Sequence, residues 1–151
     1  MSAASDAPSP VVADPSIIRD QHGLEVIAVD ECWRLLASAP VGRLGFNVAG
    51  RVQILPVTYK LHDRSIIFRT APGEKLWAAV MRQPVAFEID AWNSRDRNGW
   101  SVLAVGVADE VTDPTVTDQL DASGLAPWAP TGHGDQWVRI MPEEVTGRRL
   151  R

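Results

Sequence analysis

The chain has 151 residues, of which 45% are apolar, and this size and composition fit one folded domain with a proper core. Its net charge of −4 argues against a nucleic-acid partner, because binding to a phosphate backbone requires a basic surface. Cys32 is its one cysteine, which excludes an intramolecular disulfide and is typical of a reducing, cytoplasmic location. We expect this residue to be buried rather than reactive. We expect neither a signal peptide nor a membrane helix, because no suitable apolar run is present.

The N-terminal part is predicted to be an arm followed by a helix. Residues 1–23 are rich in Ala, Ser, Pro and Asp and lack a hydrophobic period, so we expect a flexible arm before a single domain at residues 24–151. Asp30 is a good N-cap for a helix that runs from Glu31 to Ala39. Pro40 then ends this helix.

Strands are predicted to dominate the next part of the chain. Val41–Val48 and Arg51–Leu61 alternate in polarity and predict a hairpin whose turn is Ala49-Gly50. Pro56 lies inside the second strand and has no N–H to donate, so we expect an edge, a bulge or a ligand-facing position there. Ser65–Thr70 is predicted to be a short strand, which a Pro-Gly turn joins to a helix.

The second half of the chain predicts two more hairpin strands and a short ending. Gly106 lies within one of these strands and indicates a bend of the kind that a closed sheet needs. The predicted elements are the strands Val85–Trp92, Gly99–Thr112 and Gln136–Ile140, the helix Pro114–Ala122 and a basic tail, Pro142–Arg151. About six antiparallel strands with small helices between them predict an α+β domain built on a barrel.

The junction between Ser65–Thr70 and the following helix has groups that suit an anion. Arg69 and Thr70 end the strand, and Lys75 lies just inside the helix, whose free N–H groups favour negative charge. Gly73 lets the backbone come close to a ligand, because it has no Cβ. The alternative is an ordinary turn with solvated charges. A nucleotide phosphate loop is disfavoured, because the required glycine and the Ser/Thr after the lysine are missing.

The order of motifs along the chain resembles the pyridoxamine 5′-phosphate oxidase-like flavin-binding split-barrel family. The matching segments are GRLGF from Gly42, ILPVTY from Ile54, FRTAPGEKL from Phe68, VAFEID from Val85, GWSVLAVGVA from Gly99 and VRIMPEEVTGRRL from Val138. The resemblance implies an antiparallel split β-barrel that forms a homodimer, with a flavin in each of two clefts between the subunits. It does not imply one particular activity.

The resemblance also implies a set of cofactor-binding residues. The strand Pro56, Val57, Thr58 and Tyr59 is implied to run beneath the flavin ring, with backbone groups that meet its polar edge. Arg69, Thr70, Gly73 and Lys75 are implied to hold the phosphate. Trp100 and Ser101 are implied to reach across from the second subunit, and Arg148 lies in a segment that often closes the cleft. The chain departs from the family pattern at Glu74, where the oxidases carry an arginine.

The histidines and one pair of acidic residues are not expected to bind a metal or to act in catalysis. His22, His62 and His133 are scattered without the spacing of metal ligands, so we expect no metal site. Glu88 and Asp90 share a strand face, and we expect them to pair with Arg43 or Arg69 rather than act as an acid and a base.

Three functions remain open from the sequence. The first is an FMN-dependent oxidoreductase that acts on a small conjugated substrate, with chemistry supplied by the cofactor. The second is a deazaflavin-dependent reductase, for which Arg43, Arg64, Arg69 and Arg148 could form a basic rim. The third is a non-catalytic flavin-binding or stress-associated module. No substrate or electron donor is evident in the sequence.

Overall fold

The structure is a computed structural model that describes residues 14–70, 75–127 and 136–151. Eight strands and three helices occur in these residues. The strands are β1 Glu25–Ile27, β2 Val41–Val48, β3 Arg51–Thr58, β4 Lys60–His62, β5 Ser65–Thr70, β6 Pro84–Asn93, β7 Asn98–Glu110 and β8 Gln136–Leu150. The helices are α1 Val29–Ser38, α2 Lys75–Val80 and α3 Pro114–Ala122.

The strands form one antiparallel sheet that curls into a split barrel. Their order is β3-β2-β6-β7-β8-β5-β4, and β1 pairs with the far end of β8. The predicted α+β split barrel is therefore confirmed, with two more short strands than the sequence indicated. None of the described helices is long and apolar enough to cross a membrane.

The core lies between the concave face of the curled sheet and helix α1. Strand alternation turns Leu44, Phe68 and Phe87 inward, where they are fully buried beside Leu36 of α1. A smaller cluster on the outer face is formed by Ile67, Val111, Leu120 and Trp137 under α3. Cys32 is buried in the main core, as the sequence predicted.

The β2–β3 hairpin agrees with its prediction. Ala49 and Gly50 both have positive φ, which two-residue hairpin turns require, and the Asn47 side-chain oxygen accepts a hydrogen bond from the Gly50 N–H at 2.8 Å. Strand β3 stands at one end of the strand order. Pro56 therefore lies on an edge strand, where a missing N–H donor is tolerated.

The predicted strand Arg51–Leu61 is wrong in its extent, because it is two strands. The chain leaves β2 after Thr58 and pairs with β5 from Lys60 onward, so it crosses the split of the barrel at Tyr59. The alternation of apolar residues continues through this switch, so the sequence carries no sign of it.

The N-cap predicted for the first helix is also wrong. Helix α1 starts at Val29 after Ala28, which makes no side-chain cap hydrogen bond. The carboxylate of Asp30 instead accepts a hydrogen bond from the Arg64 guanidinium at 3.0 Å. A distant partner has replaced the local one.

The predicted short last strand and basic tail are wrong, because β8 runs without interruption to Leu150. The arginines at and just after its end are paired with carboxylates near the start of the domain. Arg149 lies 3.1 Å and Arg151 2.6 Å from the carboxylate of Glu25, which is buried. These pairs hold the strand to β1 and remove the charge repulsion that a free tail would have.

Residues 14–23 contact the end of the same strand. The backbone of Arg19 forms an isolated antiparallel β-bridge with Glu25 of β1, and the Asp20 carboxylate lies 2.9 Å from the Arg148 guanidinium. The rest of the predicted arm, residues 1–13, lies outside the described residues. The division into an arm and a domain at residue 24 stays a prediction.

We predict that Gly106→Ala destabilises the protein, because Gly106 sits at the bulge where β7 shifts register against β8. A Cβ there would overlap the backbone carbonyl of Met141, which cannot move without breaking the strand. Urea unfolding should show a loss of about 1–3 kcal/mol. Gly45→Ala is the control, because its Cβ would make an ordinary contact with Ala86 at 3.6 Å. Equal effects of the two changes would contradict the assignment of the bulge.

We predict that Glu25→Gln lowers the free energy of unfolding by about 1.5–3 kcal/mol at neutral pH, because Glu25 bonds two arginines. Hydrogen bonding to Arg151 lowers the pKa of Glu25 from its usual 4.5. The stabilisation is therefore full above pH 4.5 and is lost as the pH falls through the folded-state pKa. Urea midpoints of the variant and the wild type should converge in acid. Glu143→Gln, at an exposed position, should change little at any pH.

Candidate functional site

The end of strand β3 carries the residues predicted to lie beneath a ring. Alternation buries Val57 in the core and turns Pro56 and Thr58 to the outer face of the sheet. The Thr58 hydroxyl donates to the carbonyl of Ala126, 2.5 Å away, in the segment after α3. Backbone groups on the outer edge of β3 have no strand partner in the described sheet, so they are available to a ligand.

Tyr59 has a structural role at the turn from β3 to β4. Its ring is buried and meets the ring of Phe87 edge-on, with centroids 4.7 Å apart. Its hydroxyl donates to the backbone carbonyl of Leu36. Burial raises the pKa of this hydroxyl to about 12. The side chain is therefore occupied, and only the backbone of this residue could serve a cofactor.

Arg69 and Thr70 end strand β5 on opposite faces. Thr70 is buried on the inner face, whereas Arg69 lies on the outer face, where its guanidinium stacks 4.6 Å from the ring centre of Trp137. The indole N–H of Trp137 donates to Asp121, whose carboxylate is 3.9 Å from Arg69. Within the described residues the buried Nε of Arg69 has no acceptor. A donor without an acceptor at this place suits an anionic ligand.

The other predicted phosphate ligands are only partly described. Gly73 and the unusual Glu74 lie outside the described residues. Lys75 is the first residue of α2, as the sequence predicted, but the structure does not describe its side chain. The junction of β5 with α2 thus has the predicted order of strand and helix.

Ser101 and Arg148 lie side by side across β7 and β8. Alternation turns both of them to the outer face, whereas Trp100 packs against the core from the inner face. Together with Trp92, which is 61% exposed, these residues line a cavity of about 290 Å³. Trp92 was not among the predicted site residues, although the strand pattern placed an exposed indole at the end of β6.

The predicted site residues form two groups within one chain. One group is at the ends of β3 and β5, and the other is on β7 and β8. Strands β2 and β6 separate β3 from β7, a distance of roughly 14 Å at the usual strand spacing. One chain therefore does not bring the two groups into contact through this part of the sheet.

The outer face carries exposed apolar residues on both sides of a charged cluster on β2 and β6. Val52 is 75% and Ile54 65% exposed on β3, and the alternating residues Leu103, Val105 and Val107 continue the surface on β7. Such a patch marks an interaction surface. The alternation in the sequence contains this information, because the same residues share one face of their strands.

Charged residues on this face are paired with one another. Arg43 lies 3.0 Å from Glu88 and 2.5 Å from Asp90, which confirms the predicted ion pairing. Burial raises the pKa of Glu88, although Arg43 opposes this shift. In the described part of the chain no group of three His, Cys, Asp or Glu residues could hold a metal ion.

The sheet order, the closing strand β8 and the open edge of β3 define a split-barrel protein. The family model described as pyridoxamine 5′-phosphate oxidase matches residues 28–149, and the chain belongs to this family. The uncharacterized protein Rv0080 of Mycobacterium tuberculosis is 38% identical over 137 residues, which cover 86% of this chain and 89% of that protein.

Two solved structures are similar over most of their length. The FAD binding protein from Mycobacterium smegmatis is 36% identical, with a TM-score of 0.72 over 83% of this chain and 99% of that one. A conserved protein of unknown function from Corynebacterium diphtheriae is 30% identical, with a TM-score of 0.69 over 85% and 98% of the two chains.

We predict that Tyr59 stays neutral in the folded protein until about pH 12, whereas the unfolded chain ionises near 10.0. It is the one tyrosine in the chain, so the tyrosinate absorbance reports it alone. Because the folded-state pKa is raised, the stability of the fold decreases as the pH rises from 10.0 towards 12. Circular dichroism followed in the same titration separates ionisation from unfolding. Ionisation near pH 10 in a fully folded sample would contradict the burial of the hydroxyl.

Proposed function

We propose that the chain binds a flavin at the end of β3 and acts as a flavin-dependent oxidoreductase on a small conjugated substrate. The observation that carries the proposal is the free edge of β3 at Pro56–Thr58, together with the contact of β3 with β5, where the buried Nε of Arg69 lacks an acceptor in the described residues. Membership in the family and the 36% identity with an FAD binding protein support the same class of ligand.

Different residues of the chain would bind the ring and the phosphate of the flavin. Backbone groups of Val57, Thr58 and Tyr59 offer donors and acceptors to the polar edge of a ring, while Pro56 leaves that edge without a competing N–H. The proposed phosphate ligands are Arg69 and Lys75 through their side chains and Thr70 and Gly73 through their backbone, since the Thr70 side chain faces inward. Arg69 offers a fixed, charged donor for this role, because Trp137 and Asp121 hold its guanidinium.

We propose that a second copy of the chain supplies the other wall of the site. Trp100, Ser101 and Arg148 are then the residues that the second copy contributes. The separation of the two groups within one chain and the exposed apolar residues on the outer face support this arrangement. Light scattering at micromolar concentration should show a dimer.

A bound flavin supplies hydride and electron transfer, and the protein supplies position and electrostatics. Backbone N–H groups at the end of β3 would favour negative charge on the reduced form of the ring. The proposal therefore needs no nucleophile from the chain. A non-catalytic flavin-binding module differs from this proposal only in the absence of turnover.

The choice of flavin separates the remaining alternatives. We propose FMN or FAD, which share the ring and the first phosphate, and the similar M. smegmatis protein favours FAD. A deazaflavin coenzyme has a longer anionic tail and needs a basic rim. All four arginines considered for that rim are instead paired with carboxylates, namely Arg43, Arg64, Arg69 and Arg148.

We predict that the purified protein shows a flavin absorption spectrum and that mass spectrometry identifies the released cofactor. Lys75→Ala should lower flavin affinity at least tenfold, since a charge-assisted contact contributes roughly 1.5–3 kcal/mol. Lys60→Ala is the matched control, because Lys60 is the chain's other lysine and is exposed on β4. Unchanged affinity in the Lys75 variant would place the phosphate elsewhere.

Turnover tests the enzymatic part of the proposal. Stopped-flow mixing of the flavin-loaded protein with NADPH, NADH or reduced deazaflavin should reduce the bound cofactor, and an electron acceptor should reoxidise it. Reduction by one donor supports an oxidoreductase. Stable flavin binding without reduction by any of the three donors would favour the non-catalytic module instead.

A further inference from the structure

A second cavity lies between the β2–β3 hairpin and helix α2, away from the residues assigned to the cofactor. Its volume is about 380 Å³, towards the small end of the ~300–1,000 Å³ that small-molecule sites span. Its walls are mainly apolar and include Phe46, Val48 and Leu55 of the hairpin and Leu76 of the helix.

The cavity exists because the hairpin is longer than the core that it covers. Phe46 and Gln53 are cross-strand partners, as are Val48 and Arg51, and alternation turns these pairs to the inner face of the sheet. Further along the barrel the inner face is fully buried. At this end, Leu55 remains 39% and Val48 40% exposed. An inner sheet face that the chain's own core does not fill is a concave apolar surface open to a ligand.

The polar groups of the cavity indicate the chemistry of its ligand. Arg51 is the one charged residue among its described lining residues, and Gln53 lies two residues along on the same face. A guanidinium matches the geometry of a carboxylate and can also donate to a carbonyl oxygen, and an amide adds a further donor. The arrangement therefore suits a mostly apolar molecule with an acidic or carbonyl group at one end.

The cavity and the proposed flavin contacts lie on opposite faces of β3. Leu55 lines the cavity from the inner face, whereas the next residue, Pro56, faces outward with Thr58. We propose that this cavity is a separate binding site for a mostly apolar small molecule with one carboxylate or carbonyl group, which Arg51 and Gln53 hold. This proposal does not rest on the proposed function.

Two fluorescent probes of the same shape test the cavity. One is 1-anilinonaphthalene-8-sulfonate, which is apolar and carries one anionic group, and the other is neutral N-phenyl-1-naphthylamine. Both should bind the full chain with one site per chain, with and without flavin loaded. Arg51→Gln should weaken the anionic probe about tenfold and leave the neutral probe within about twofold, since only the former has a charge-assisted contact. Arg95→Gln, an exposed arginine in the β6–β7 turn, should affect neither.

A second pair of variants locates the probe on one face of β3. Leu55→Glu places a carboxylate in the cavity and should weaken both probes about tenfold or more, because it removes apolar wall and adds charge. Val52→Glu places the same carboxylate on the opposite face, where it should have no effect on probe binding. Circular dichroism and urea unfolding confirm that both variants fold.

Four results would overturn the proposal. Equal losses with Leu55→Glu and Val52→Glu would put the probe outside the cavity, and so would unchanged binding in both. If flavin displaced the probe stoichiometrically, the cavity would be the binding site of the flavin ring. If probe binding decreased as the protein concentration rose, a second copy of the chain would be the occupant of the cavity. Probe binding at Leu55 in a chain that cannot be loaded with flavin would support the cavity and contradict only the proposed function, so the two failures are distinct.

Discussion

The fold depends on one long strand that hydrogen-bonds to three others. Strand β8 pairs with β7 along most of its length, with β5 near its start and with β1 at its end. A strand of 15 residues that several neighbours of a curled sheet share must twist and bend along its length. The bulge between Val105 and Gly106, opposite Pro142, supplies the required bend.

The bend in β8 also decides where the sheet stays open. Since β8 carries β5 and β4 on one side and β7 on the other, the sheet ends at β3 and β4. The chain passes between these ends at Tyr59, whose buried ring and bonded hydroxyl fix the crossing. The open edge at Pro56–Thr58 therefore lies at a rigid place, on a strand that contacts β5. A pre-formed edge of this kind reduces the ordering cost of holding a ligand.

Much of this architecture could be predicted from the sequence, because local patterns determine it. Alternation identified the main strands, the Ala49-Gly50 turn fixed one hairpin, and Gly106 marked the bend. The errors arose where distant residues determine the structure. The last strand looked like a basic tail because its partner Glu25 lies more than a hundred positions away in the chain. Asp30 is not the cap because the helix already begins at Val29, and its carboxylate bonds the distant Arg64.

Less of the candidate site than of the fold could be predicted from the sequence. Alternation separates Arg69 from Thr70 and Trp100 from Ser101, so neighbours in the chain lie on opposite faces of the sheet. Only the curl of the sheet shows which outer-face residues share a surface. The cavity beside Leu55 could not be predicted, because its existence depends on how far a hairpin extends past α2.

The proline in β3 has a consequence for the behaviour of the protein in a crowded cell. An exposed edge strand with apolar neighbours such as Ile54 is a template to which strands of other chains can add, and such addition leads to aggregates. Pro56 interrupts the row of donors along that edge, so an incoming strand cannot form a continuous ladder there. The same residue thus keeps the edge accessible to small molecules while it discourages polymerisation.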